Sequence, residues 1–466
     1  MRRLLFLAFA LVWAGASGLT AGEITPSTQQ QTYSYLDAAN QTPAGAFQPL
    51  APEARPVRLP DVHTVPASWT DDPEEKTDYY TTEQLQQMTE AAAKKHAWRK
   101  GDFTITPYGF LWGNMVYETE QSFVGSYALY IRSAETAGND NFVLDGRNTR
   151  LGIDVGGPRL WLFDCAQSGG KVELDFQGNF VTENKAGVLL RHAYWEVKNE
   201  DYRLLMGQTW DVISPLYPGT IMYSVYWAAG NIGYRRAQLR GERYLHFSPV
   251  SMITLQGSMN VDIVSDFTST TDDIEGDHGG WPVLEGRAAW TLGNRGPGCL
   301  PMTVGTSAHI GNQDFDFGPT SPLPGEYVRP TWSVNADFQV PLTHRLGVQG
   351  EFFTGENLGA FLGGIAQGVD INTAVPIRST GGWIELWFDW TPCWHTHSGF
   401  TIDDPFDADV TTASGRIYNS AYYANLVYDV TKQFQMGVEV SSWKTLYHDQ
   451  APGDSVRIEF MGKYGF

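Results

Sequence analysis

"SVRIEFMGKYGF", Ser455 to Phe466, sets Val456, Ile458, Phe460, Tyr464 and Phe466 on one parity and Arg457, Glu459 and Lys463 on the other. A period of two marks a strand with one apolar and one polar face, because successive side chains of an extended chain leave opposite sides. Terminal segments are usually frayed and polar unless something ties them down. A patterned strand running to Phe466 therefore needs a pairing partner elsewhere in the sequence. In a closed antiparallel barrel that partner is the first strand, since an open edge in hydrocarbon leaves its N–H and C=O groups without hydrogen bonds.

The same alternation recurs upstream. Val172, Leu174 and Phe176 oppose Lys171, Glu173, Asp175 and Gln177; Trp332, Val334, Ala336, Phe338 and Val340 oppose Ser333, Asn335, Asp337 and Gln339. Such segments lie near 102–118, 147–157, 170–181, 187–198, 202–211, 235–247, 250–262 and 283–293, and again near 301–311, 330–341, 344–355, 381–390, 394–402, 415–430, 433–446 and 454–466. That makes about sixteen strands, most of them at least the roughly 10 residues a tilted strand needs to cross a bilayer. Their connections alternate. Long ones fall at 119–146, 212–234, 263–282, 313–329 and 356–380, and short ones at 199–201, 247–250, 341–345, 391–393 and 429–432. Tight turns at one rim and long loops at the other predict an all-β transmembrane antiparallel barrel over 101–466, of the outer-membrane type, with both ends on the periplasmic side. A soluble secreted β-sandwich also alternates, but its strands are usually shorter, about 5–6 residues.

Ahead of the barrel, Met1-Arg2-Arg3, an apolar run from Leu4 to Ala16 and small residues to Ala21 predict a signal peptide over 1–21. That run is too short for a spanning helix of about 20 residues. The Pro-, Gln- and Thr-rich stretch 22–80 reads as a disordered periplasmic spacer, and 81–99 as a short periplasmic helix of good helix formers. Its Leu85, Met88 and Ala92 form either a seam for self-association or one side of a solvated helix. The formal net charge of -20 argues against nucleic acid as a partner, because phosphate neutralisation needs clustered Lys and Arg. Cys165, Cys299 and Cys393 are too few for a disulfide scaffold and allow at most one bridge beside a free thiol.

The chemistry concentrates between 148 and 247. In "GNIGYRRAQLRGERYLHF" (230–247), placing Leu239, Leu245 and Phe247 toward lipid turns Arg236, Gln238, Arg240, Glu242 and His246 toward the lumen. Arg150 turns inward by the same logic, an arrangement that avoids the roughly 2–4 kcal/mol cost of an arginine facing lipid near the midplane. Arg150, Arg236 and Arg240, with Arg191 and Arg203, form either an anion-attracting ladder or one half of a mixed wall balanced by Asp154, Glu173, Asp175 and Glu242. The connection 212–234 is apolar and aromatic. It is expected to fold into the lumen, where Tyr217, Tyr223 and Trp227 narrow the pore; the alternative is a subunit interface. His395 and His397 in "CWHTH" are ligand types zinc uses, but with no second cluster they read as interfacial polar residues, and no metal or cofactor is expected. A nucleophile elbow and a phosphate loop are both missing, so a channel is expected rather than an enzyme. An adhesive or hydrolytic barrel is the alternative.

"NTRLGIDV" (148–155), "RHAYWEV" (191–197), "GQTWD" (207–211) and "GNIGYRRAQLR" (230–240), in this order, resemble the DcaP-like outer-membrane porins. The resemblance is strongest over 100–250. It implies a sixteen-stranded homotrimeric barrel with an N-terminal periplasmic helical extension, passing small, often anionic, organic solutes, with Arg150, Arg236 and Arg240 as pore residues. Phe466, with Tyr464 two before it, looks like the terminal signal by which the barrel-insertion machinery recognises its clients.

Overall fold

The computed structural model describes residues 97–178, 186–263, 274–278, 280–295, 300–317 and 321–466. The expected signal peptide, the spacer, the helix through residue 96 and Cys299 lie outside these residues. Residues 98 and 99, expected to close that helix, instead belong to a strand, Trp98–Lys100, that pairs with Phe103–Ile105. Gly101, at φ 59°, supplies the tight turn.

Sixteen wall strands follow among the described residues. They begin with β1 (Phe103–Glu118), β2 (Arg150–Leu160), β3 (Ala166–Asp175), β4 (Leu189–Lys198), β5 (Tyr202–Trp210) and β6 (Arg235–Ser248). Next come β7 (Ser251–Asn260), β8 (Val283–Leu292), β9 (Met302–Phe317), β10 (Gly325–Pro341) and β11 (Leu346–Glu356). The wall ends with β12 (Arg378–Thr391), β13 (Trp394–Pro405), β14 (Arg416–Asp429), β15 (Phe434–Tyr447) and β16 (Gly453–Gly465). Each pairs antiparallel with the next, and β16 pairs with β1 from Phe110↔Gly465 to Glu118↔Arg457. Phe466 continues that seam: its N–H donates to the Gly109 carbonyl at 3.0 Å, and the Gly109 N–H donates back at 3.3 Å. A β-carbon on Gly109 would sit 2.9 Å from the Phe466 ring, so glycine is what lets the aromatic close against the wall.

The burial pattern is inverted relative to a water-soluble protein. On β9 the polar parity is buried (His309 3% exposed) and the apolar parity bare (Ile310 63%). Leu239, Leu255, Leu284, Val334, Ile384 and Phe460 point outward likewise, while Glu173, Glu285, Glu351, Glu385 and Glu439 are buried inside. A sandwich would bury the opposite parity, so that alternative is excluded.

Three of the expected connections differ. The long loop expected at 313–329 is mostly wall, because β9 reaches Phe317 and β10 starts at Gly325. The gap left between the strands expected near 147–157 and 170–181 closes to a short turn, since β2 runs to Leu160 and β3 starts at Ala166, with Asp164 and Cys165 in left-handed conformation between them. Within 119–146, the short pair Ser122–Phe123 and Tyr130–Ile131 turns inward, and Asn141–Asp145 pairs with the upper part of β1.

Candidate functional site: the occupied lumen

A chain segment inside a barrel must find partners for every backbone N–H it carries. The connection 212–234 finds them on wall carboxylates, each from a different strand. Val212 N–H donates to Glu285 of β8 at 2.6 Å and Leu216 N–H to Glu351 of β11 at 2.7 Å. Gly219 N–H donates to Glu385 of β12. Ile221 N–H and the Thr220 hydroxyl both donate to Glu439 of β15, at 3.0 and 2.6 Å. The strap then crosses back, and the Tyr223 hydroxyl reaches Asp175 of β3 at 2.8 Å. Each carboxyl group offers more than one acceptor site, which suits a row of fixed anchors. On the return leg Gly230 lies against the Gly382 carbonyl, where a β-carbon would clash.

Two further connections meet the strap. Tyr223, Trp227 and Ala228 pack with Tyr127, Leu129 and Tyr130 from the first inward segment and with Leu362, Ile365 and Ala366 from 357–377. Tyr226 stacks between Tyr423 and Trp443, with ring centroids 4.8 and 5.2 Å away. Tyr217 lies 5.1 Å from Trp210. The sequence reading placed only 212–234 inside. The signal for 357–377 was present in the same form, an apolar stretch from Leu358 to Ile377 whose only charge is Asp370.

The sequence-predicted arginines all face inward, and each meets a carboxylate. Arg150 is 3.5 Å from Glu173 and donates to the Tyr223 hydroxyl at 3.2 Å. Arg191 pairs with both Glu173 and Asp175 at 2.7 Å and also donates to Tyr223. Arg203 bridges Glu196 at 2.6 Å and Glu242 at 3.3 Å. Arg236 pairs with Asp211, lies 3.8 Å from Asp262, and stacks on Phe361 at 3.6 Å. Arg240 is 3.5 Å from Glu242 and donates to Gln238 at 2.8 Å. Arg150 and Arg191 converge on Tyr223; Arg203 and Arg240 converge on Glu242; Arg236 stands apart, against 357–377.

Sequence reasoning missed Arg235. By parity it should face lipid, but at the top of β6 it and its register partner Trp210 lie against the strap. It is 3% exposed, its guanidinium lies 4.5 Å from the Trp210 ring and 4.4 Å from the Tyr234 ring, and its Nε and Nη1 have no hydrogen-bond partner. No carboxylate among the described residues pairs with it.

His395 lies between Asp389 and Asp429 at 2.8 and 3.1 Å, using both ring nitrogens, and His397 pairs with Glu385 at 2.9 Å, over Gly219 of the strap. Among the described residues no group of three or more His, Cys, Asp or Glu side chains could hold a metal ion. Cys165 and Cys393 are free, exposed thiols.

By sequence, no family model and no curated protein matches the chain. Solved structures do match. The outer-membrane channel DcaP of Acinetobacter baumannii aligns with a TM-score of 0.62 and 19% identity, over 79% of this chain and 99% of that one. OprB of Pseudomonas putida aligns at 0.49 and 9%, over 84% and 98%, and OmpF of Salmonella typhi, in complex with daunomycin, at 0.47 and 9%, over 79% and 100%. A closed sixteen-stranded wall, an inverted burial pattern and this alignment give the chain the fold of the DcaP-type outer-membrane channel.

Proposed function

We propose that the protein is an outer-membrane channel through which small hydrophilic, anionic organic solutes diffuse. The observation that carries this reading is a polar parity turned inward around a strap fixed to four wall glutamates, an arrangement that places a narrow zone partway along a polar conduit. What favours anions is Arg235. The ladder arginines are each offset by a carboxylate, whereas Arg235 carries a buried positive charge at the level of the strap that no carboxylate offsets among the described residues. Part of the acid that makes the chain negative, such as Asp407 and Asp409, lies past the end of β13, toward the rim of the long loops. Charges more than about 8 Å from the narrow zone are largely screened at physiological salt.

In this reading the tight-turn rim and the N-terminal segment face the periplasm. The barrel works as a homotrimer, and the insertion machinery reads Phe466 and Tyr464. Planar-bilayer recordings test it. Wild type is expected to give discrete conductance steps and a reversal potential on the anion side in a salt gradient. Arg235→Glu should abolish that preference, and Arg236→Glu with Arg240→Glu should weaken it. A cation-selective wild type would reject the anion reading and keep the channel; a wild type without steps rejects the channel.

A further inference from the structure

The outward parity of β6 runs Ala237, Leu239, Gly241, Arg243, Leu245, Phe247. All but one suit hydrocarbon. Arg243 is exposed and has no ion pair or hydrogen bond among the described residues.

Beside it the outer wall is hollow. Gly241 and Gly257 face each other in register on β6 and β7, and a β-carbon built on Gly241 would meet nothing within 4 Å. Leu204 and Leu255 stand on either side. Phe163 forms a further wall, held there by the Tyr202 hydroxyl, which donates to its carbonyl at 2.6 Å. The result is an apolar groove of about 560 Å³ that opens onto the membrane and ends at Arg243.

The depth of Arg243 matters. It pairs with Leu255, one side-chain step from the row Leu245–Ile253–Trp290. Trp290 and the nearby Phe247 are exposed aromatics of the kind that mark the boundary between hydrocarbon and headgroups. An arginine one step inside that boundary reaches it by extending along its own aliphatic stem. There it needs an anion, and a phosphate offers two oxygens to the guanidinium fork.

We propose that this groove binds an anionic phospholipid, with the phosphate on Arg243 and one acyl chain lying over Gly241 and Gly257. The inference rests on the membrane-spanning reading of the barrel. A second copy of this chain could fill the groove only by carrying a carboxylate to the same depth in hydrocarbon, which is the costlier way to pair Arg243.

Native mass spectrometry of the full-length barrel, released from micelles holding equal phosphatidylglycerol and phosphatidylcholine, tests this. Wild type is expected to retain phosphatidylglycerol preferentially. Arg243→Gln should reduce that retention about fivefold or more, a difference of about 1 kcal/mol. Gly241→Leu should reduce retention of both lipids by filling the groove with Arg243 still present. Folding of each variant is checked by heat-dependent gel migration, and Arg243→Lys, which keeps the charge without the fork, should fall between. Equal retention of the two lipids by wild type overturns the proposal. So does a change in oligomer mass in Arg243→Gln with lipid retention unchanged, which would assign the groove to contact between copies. All variants should conduct like wild type. A wild type that conducts but shows no lipid preference therefore rejects the groove alone, whereas a wild type that prefers phosphatidylglycerol but does not conduct rejects the channel and leaves the groove standing.

Discussion

The strap 212–234 and the connection 357–377 occupy the same lumen and touch each other, yet they are held by different physics. The strap takes its backbone partners from wall carboxylates on β8, β11, β12 and β15. The other connection satisfies itself mainly through backbone bonds, such as Asn357 N–H to the Ile377 carbonyl at 2.9 Å and Ile377 N–H to the Gly368 carbonyl at 2.9 Å. One wall carboxylate reaches it, Asp403, which accepts from Ile365 N–H at 2.9 Å. Its main hold is apolar: Leu358 and Phe361 are fully buried against Ile213, Ile232, Val283 and Phe353. A segment fixed by single side-chain acceptors is released one anchor at a time. A segment fixed by packing is released when its cavity opens.

Phe361→Ala should have the largest effect. Truncating a fully buried phenylalanine costs about 3–5 kcal/mol, and Arg236 loses the ring on which it stacks. Hydrogen exchange is expected to quicken across 358–366 while Leu216 to Ile221, held by glutamates, stay protected. Equal loss over both segments would show that the two share one mode of attachment. Glu439→Ala comes next. It removes the acceptor for Thr220, Ile221, Tyr226 and Asn425, leaving buried donors unpaired at about 2–3 kcal/mol. Exchange should quicken over 219–227 with 358–366 less affected, and channel noise should rise. The smallest effect is expected at Asp370, which ties 357–377 to the next connection by accepting from Thr373, Thr411 and Thr412. Asp370→Ala should cost about 1–2 kcal/mol, seen as faster exchange around 370–375.

Asp370 also sets a pH dependence. Burial pushes its carboxyl up, but hydrogen bonds from Thr411, Thr373 and Asn372 outweigh this and hold it below the ordinary aspartate value. A depressed folded-state value means the clasp is at full strength above the unfolded value of about 3.9 and is lost as pH falls through the folded one. Protection of the loop amides, taken relative to their intrinsic exchange, should therefore stay flat from pH 6 to about pH 4 and then fall, and Asp370→Asn should remove the step.

The wall was legible because its signal is local. The period-two pattern of residues 330–341 or 454–466 fixes a strand without knowledge of any neighbour. The strap was legible because an apolar aromatic run between two polar-faced strands has few other places to go. The same argument applies to 357–377, but its glycines and alanines make it look like an ordinary loop. The partners of the arginines were not legible. Arg236 meets Asp211 from before it in the chain and Asp262 from after it, and which acids meet which bases depends on interstrand register and on segments crossing the lumen, neither of which parity supplies. Arg235 was hidden for a related reason. Parity describes a regular strand and fails at its first residue, where the strap gives way to β6.

The seam between β1 and β16 has a kinetic meaning. Asn114 donates to Glu459 across it at 3.1 Å, from a position 345 residues away in sequence. Every other pairing among the sixteen wall strands joins strands that follow one another, so each hairpin can form from nearby chain, whereas this one has to wait for the ends of a long sheet to diffuse together. The entropy of that closure grows only with the logarithm of the intervening length; the greater hazard is the waiting time. Until it closes, the unpaired edges of β1 and β16 are open to any other strand, and a half-built sheet with two such edges is the species most prone to aggregate.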